Sequence, residues 1–213
     1  MDCKICNSPT TSFEDLKFQT LYHHCTNCQY IFLDPSYILE HDDEKSQYDF
    51  HNNSLQDAGY VQFLENFLHF FWEDVRKTSK NALDFGSGPG PVLDTLIKRR
   101  GVPCDIYDKF YQQEQIFVGK SYDLITSTEV FEHLSEPKET LLLLTKHLHV
   151  GSHLALMSLF HNNNEADFLQ WWYRRDPTHI GFFTPKTVEV LALTCGMRLL
   201  KHDNKRIALL TLA

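Results

Sequence analysis

Residues 83–90 read Leu83-Asp84-Phe85-Gly86-Ser87-Gly88-Pro89-Gly90, and this stretch decides the fold. It joins an apolar run, residues 81–85, to an amphipathic run, residues 91–99. Apolar strand, glycine turn and helix in that order make one half of a strand–helix–strand unit. Glycines at such a turn admit positive φ and let backbone approach a ligand closely. The helix start adds unpaired N–H groups. The pattern Asp-x-Gly-x-Gly-x-Gly differs from the Gly-x-Gly-x-x-Gly that seats a dinucleotide pyrophosphate. A carboxylate at Asp84 suits a cationic ligand and repels a pyrophosphate.

Working outward, the alternation continues on both sides. Upstream, Val61, Leu64, Phe67, Leu68, Phe71 and Val75 recur at three and four within residues 58–77, one apolar face of a helix. Downstream, strands are expected over 102–107, 122–126 and 153–159, with helices over 139–148 and 187–194. A turn at Val150-Gly151 is expected to close the first of these helices, and Gly196 the second. Residues 197–201 and 206–212 form a terminal hairpin over Asp203-Asn204. The fold class is therefore α/β, a doubly wound and mostly parallel sheet with an antiparallel terminal hairpin. Residues 109–121 are too few for a full helix and strand, so 115–118 is at most a remnant strand.

Polar side chains collect where the expected strands end. Asp108 follows the second strand, about 20 residues beyond the glycines, where an acid commonly holds ribose hydroxyls. The next strand runs into Thr126-Ser127-Thr128-Glu129-Val130-Phe131-Glu132-His133-Leu134. The carboxyl ends of the strands border the ligand crevice of an open α/β sheet.

At these positions the chain resembles the class I S-adenosylmethionine-dependent methyltransferases, whose fold is Rossmann-like. Their glycine motif matches residues 84–90, their ribose acid Asp108, and their post-glycine strand and loop residues 122–134. The turn at 149–153 matches more loosely. A further likeness, to bacterial methyltransferases with an N-terminal four-cysteine zinc knuckle, runs through Tyr48-x-x-His51-Asn52, Gly59-Tyr60, residues 107–111, Thr128–His133 and Asp176-Pro177-Thr178-His179. The resemblance implies that S-adenosylmethionine is held by Asp84, Gly86, Ser87, Gly88, Gly90, Asp108, Lys109, Phe110, Thr128 and Glu129, with Tyr48, His51 and Tyr60 covering it. The shortened segment after Asp108 leaves the adenine wall open among Phe110, Lys120 and Ser121. Methyl transfer from a sulfonium needs positioning, exclusion of water and, for a hydroxyl or ammonium acceptor, a base. His133, His179 and Glu129 are the candidates. Trp171-Trp172-Tyr173 reads either as an aromatic wall for an acceptor or as core, with Trp171 on the core side.

Cys3-x-x-Cys6 and Cys25-x-x-Cys28 have the spacing of a four-thiolate zinc site. Four thiolates leave no open position, so the zinc is structural. His23 and His24 are alternative ligands outside that spacing. The organisation expected is a zinc-ribbon-like unit at 1–35, a connector and helical lid at 36–79, and the core at 80–213.

Net charge is −8, and residues 1–33 contain Lys4 and Lys17 against Asp2, Glu14 and Asp15. A nucleic-acid partner is disfavoured. With no apolar run of membrane length and no leader-like start, the expectation is a cytoplasmic protein acting on a small-molecule acceptor. The alternatives are an RNA methyltransferase gripping its substrate through the knuckle, and a catalytically silent cofactor-binding module. A nicotinamide enzyme is the weakest reading. The sequence leaves the acceptor and the oligomeric state open.

Overall fold

A computed structural model describes residues 1–48 and 54–213. Four parallel strands form the centre: β4 (Ala82–Phe85), β5 (Cys104–Tyr107), β6 (Tyr122–Thr128) and β7 (Leu148–Met157). The last two strands, β9 (Met197–His202) and β10 (Ile207–Leu212), complete a sheet of order β5-β4-β6-β7-β10-β9, with β10 antiparallel to both neighbours. Their turn is organised by one side chain: Asp203 Oδ1 accepts from the backbone N–H groups of Lys205, Arg206 and Ile207.

Alternate residues of each strand enter opposite cores. Leu83, Ile125, Leu154, Leu156, Ala208 and Leu210 pack under α4 (Pro137–Thr145) and α6 (Pro185–Thr194). Ala82, Leu124, Ala155, Met157, Ile207 and Leu209 pack under α2 (Ala58–Val75) and α3 (Val92–Arg99). This is the two-residue period of a sheet covered on both faces. Helix α2 starts at Asp57, whose carboxylate accepts from Tyr60 N–H. It buries Leu64, Phe67, Leu68, Phe71 and Val75, each worth roughly 1.5–3 kcal/mol when fully covered.

Two expectations are corrected. Residues 115–118 form a turn, not a strand. The backbones of Asp108 and Gln112 exchange hydrogen bonds of 3.0 and 3.1 Å, which doubles the chain back at once. Another parallel crossover needs a dozen or more residues. Phe117 instead packs its ring between Tyr107, Phe85 and His147, and β5 becomes the edge. Likewise Val150-Gly151 does not end a helix: α4 stops at Thr145, and β7 already begins at Leu148.

The N-terminal strands β1 (Thr11–Asp15), β2 (Thr20–His24) and β3 (Ile31–Leu33) form a second sheet. It ends on a strand from the far side of the sequence, β8 (Gly181–Phe182), paired with Ile31 and Phe32. Beneath it, Tyr22, Phe168 and Phe182 meet edge to face. Phe168 lies in α5 (Glu165–Gln170). A short helix, α1 (His41–Tyr48), follows this sheet. No described helix is long and apolar enough to cross a membrane.

Arg174 and Asp15 form a buried ion pair between the segment before β8 and the end of β1. Removing one partner strands the other charge in low dielectric. Arg174→Met is expected to lower unfolding free energy by about 3 kcal/mol or more, measured by urea denaturation.

Candidate active site

The glycine turn hangs from the end of β5. Gly86 and Ser87 N–H both donate to Tyr107 O, at 2.7 and 3.1 Å, and Gly88 N–H donates to Asp108 Oδ2 at 2.9 Å. Asp108 Oδ1 accepts from Phe110 and Tyr111 N–H. Gly86 and Gly88 have φ of 88° and 67°. A Cβ on Gly86 would lie 2.2 Å from Val130 Cγ2, so side chains are excluded by space as well as by φ.

A cavity of about 850 Å³ opens over this turn. Asp84, Gly86, Ser87, Gly88, Asp108, Lys109, Phe110, Thr128, Glu129 and Tyr60 line it, as do His133 and His179. Gly90, Lys120 and Ser121 are not in the wall; Lys120 pairs with Asp105 on the outer side of β5. Lys109 also pairs with Glu44 of α1. Tyr48 closes α1, but its side chain lies outside what the structure describes, and His51 lies outside the described residues. Trp171 packs against Tyr173 and Phe182, whereas Trp172 is 64% exposed at the cavity mouth.

At the floor, Asp84 is buried and accepts from Thr126 Oγ1 at 3.0 Å. Burial pushes its carboxyl up to about 7; the Thr126 bond opposes this, and the charges of Asp94 and Asp108 add to it. Burial, then the charges of Asp84 and Glu129, push the neighbouring Tyr60 up to about 12, so it remains a hydroxyl.

The wall beyond β6 holds a buried carboxylate, Glu132, and a half-buried one, Glu129. The Tyr173 hydroxyl reaches Glu129 Oε2 at 3.0 Å and is in direct contact with Glu132 Oε1. Burial raises both carboxyls; the charge of Glu129 adds to the rise at Glu132. Glu129 holds a left-handed backbone, φ 52°, an uncommon conformation for a side chain of its kind. Beside the pair, the imidazoles of His133 and His179 lie 4.7 Å apart. His133 Nδ1 donates to Thr178 O and His179 Nδ1 to Tyr173 O. Burial, then the charge of His179, lowers His133 to about 3, so it is neutral at physiological pH. Sequence reading brought Glu129, His133 and His179 to this wall. It did not choose Glu132 or Tyr173, because nothing local shows that a tyrosine so far along the chain joins the two glutamates.

The four cysteines converge. Their Sγ atoms lie within 4.8 Å of one another, with Cys3–Cys28 and Cys6–Cys25 at 3.5 Å. Both pairs sit in matching turns: Asn7 N–H donates to Cys3 O, Gln29 N–H donates to Cys25 O, and Asn7 and Gln29 have φ of 58° and 65°. Tetrahedral zinc with Zn–S of about 2.3 Å spaces sulfurs by ~3.8 Å, so the donor set fits that ion. A disulfide, at about 2 Å, does not fit. His23 and His24 are not part of the cluster; they pair with Asp34 and Glu165.

The profile of the family described as "Methyltransferase domain" matches residues 55–202. No functionally curated protein matches the chain. Among solved structures, the plantazolicin methyltransferase BpumL with S-adenosylhomocysteine is 17% identical, with a TM-score of 0.51, over 84% of this chain and 91% of that one. The same enzyme with a monoazolic desmethylPZN analogue and S-adenosylhomocysteine gives 16% and 0.52, over 80% and 89%. These likenesses show the fold alone. The mitomycin 7-O-methyltransferase MmcR is 12% identical with a TM-score of 0.48, and this chain covers 60% of its length.

Protons and a cationic ligand compete for Asp84, so the affinity of any cationic ligand bound over that carboxylate is expected to fall by up to ~10-fold per pH unit below about 7 and to level off above it. In Asp84→Asn that dependence should vanish. Calorimetric titrations between pH 5.5 and 8.5 test this.

Proposed function

The chain belongs to the Methyltransferase domain family, and from that membership we propose that it is an S-adenosylmethionine-dependent methyltransferase acting on a small-molecule acceptor in the cytoplasm. The observation that supports this most directly is the glycine turn tied to Asp108, with the buried carboxylate of Asp84 below it. Asp84 suits the cationic end of the cofactor. Three backbone N–H groups already bind the Asp108 carboxylate, which leaves it roughly one further acceptor site for a ribose hydroxyl. Phe110 and Lys109 border the same end. When bound, S-adenosylmethionine supplies a methyl group activated by a positive sulfur, with a neutral leaving group.

The chain's own part is to orient, to exclude water and to move a proton. Glu129 lines the acceptor side, and its raised carboxyl suits a base that takes a proton from an acceptor hydroxyl or ammonium. His133 and His179 complete that wall. Trp172 and Arg175 stand at the mouth, where an aromatic plane and a cation would receive a planar or anionic acceptor. The charge-poor N-terminal unit does not favour RNA as the acceptor.

The cysteine cluster is proposed to hold structural zinc. The bond to Cys3, then burial and the charge of Cys3, drive Cys28 up, while the Cys28 bond lowers Cys3 to about 5. Four thiolates this close need a cation to coexist.

S-Adenosylhomocysteine is expected to bind at micromolar Kd, and Asp84→Ala or Gly86→Val to abolish binding with the far-UV spectrum retained. Calorimetry checks both; binding of NAD alone would overturn the assignment. Metal analysis should give one zinc per chain, falling well below that in Cys25→Ser with a lowered Tm.

A further inference from the structure

Two carboxylates meet beside the cavity, and each keeps one oxygen without a hydrogen bond among the described residues. The Tyr173 oxygen already accepts from Leu159 N–H at 3.4 Å, so its proton is what it offers the glutamates. One phenolic proton cannot serve Glu129 and Glu132 together. Glu132 is fully buried, and its Oε2 and Glu129 Oε1 accept no hydrogen bond among the described residues. Two carboxylates so placed require a shared proton or a positive ion.

The neighbouring imidazoles are arranged to supply ligands. A carbonyl can only accept, so the Nδ1 bonds to Thr178 O and Tyr173 O place a ring proton on Nδ1 of both His133 and His179, and Nε2 is the nitrogen that a cation would take. An outer-shell carbonyl on the far nitrogen is how metal-ligating histidines are held. Glu132, His133 and His179 each place one ligand atom within 4.8 Å of the others. Contraction to edges of about 3 Å would close such a set on a first-row ion with bonds near 2.1 Å. Asp176, 3.8 Å from His179 Nε2, is a further anion beside this set.

We propose that Glu132, His133 and His179 form a second metal site, distinct from the cysteine cluster, that binds a divalent first-row ion at the edge of the acceptor cavity. Two imidazoles and a carboxylate favour Mn²⁺, Fe²⁺ or Co²⁺ and leave coordination positions open. The site's place follows from geometry; what the ion does rests on the methyl-transfer reading. His133, His179 and Glu129 line the cavity, so the open positions face the acceptor. An oxygen acceptor coordinated there loses its hydroxyl proton more readily. Glu129, held through Tyr173, receives that proton. The oxygen lone pair forms the new O–CH₃ bond as the S–CH₃ bond breaks, and the electron pair of that bond stays on sulfur. The site thus selects hydroxyl-bearing acceptors over amines, whose protonated form a cation repels.

Mn²⁺ separates the two sites, because thiolates favour softer ions. Titration of the full-length protein with Mn²⁺ alone, followed by electron paramagnetic resonance, is expected to show one saturable site with nitrogen modulation from histidine. His179→Gln is expected to weaken it by roughly 100-fold or more. His133→Gln provides a second variant should the first misfold. No saturation below about 1 mM, a signal without nitrogen coupling, or unchanged affinity in a folded variant would overturn the site. S-Adenosylhomocysteine binding in the same samples reports on the methyl-transfer reading separately: its absence would leave a saturating Mn²⁺ isotherm standing in support of the ion site.

Discussion

The bond network that pins residues 86–88 to the end of β5 is the constraint from which the rest of the cavity follows. Parallel pairing puts Phe85 beside Tyr107, so the backbone leaving β4 meets the carbonyl leaving β5. Gly86 and Ser87 satisfy that carbonyl, and Gly88 satisfies Asp108. The turn therefore cannot relax outward without exposing three donors, nor inward without striking Val130. A loop held at both limits presents its remaining surface to a ligand at little conformational cost.

The two walls of the cavity treat charge in different ways. At the Asp84 wall, one buried carboxylate has a hydroxyl donor and two acids for neighbours, which leaves it near neutrality and responsive to a cation. At the Glu129 wall, a half-buried and a buried carboxylate share one tyrosine, and the chain accepts a left-handed backbone at Glu129 to bring them there. Strain of that kind persists only where surrounding contacts over-determine it. Here the contacts are Tyr173 above and the N–H of Glu129 itself, which donates to Met157 O at the end of β7.

What the sequence made legible was what local pattern encodes. Short apolar runs bounded by turn residues put the parallel strands in place, the period near 3.6 gave α2, and glycine spacing separated this turn from a dinucleotide turn. Paired Cys-x-x-Cys turns brought the four sulfurs together because each turn closes within a few residues. Contacts between distant segments were not legible. Strand β8 is two residues long, and neither Gly181 nor Phe182 signals that it will extend a sheet begun near residue 11. The Arg174–Asp15 pair and the Tyr173 bridge are invisible for the same reason. The remnant strand expected at 115–118 is a turn, and the burial of Phe117 within it comes from ring packing, not from a ladder.

These distant contacts make the cysteine cluster relevant to the chemistry although no cysteine lines the cavity. Cys28 O accepts from Thr187 Oγ1, and Gln29 accepts from both His161 Nε2 and Thr184 Oγ1, so the second cysteine turn is bonded to the start of α6. From that turn the chain runs directly into β3, and Leu33 N–H donates to Ile180 O. The other side of the Ile180 peptide, its N–H, donates to Glu132 O. One residue thus ties the N-terminal sheet to the buried glutamate, and its immediate neighbour is His179. The second cysteine turn leads into β3, β3 is bonded to Ile180, and Ile180 is bonded to Glu132 and adjoins His179. The sulfur cluster and the wall at Glu132 and His179 are thus joined by a short run of backbone bonds, so the position of one bears on the position of the other.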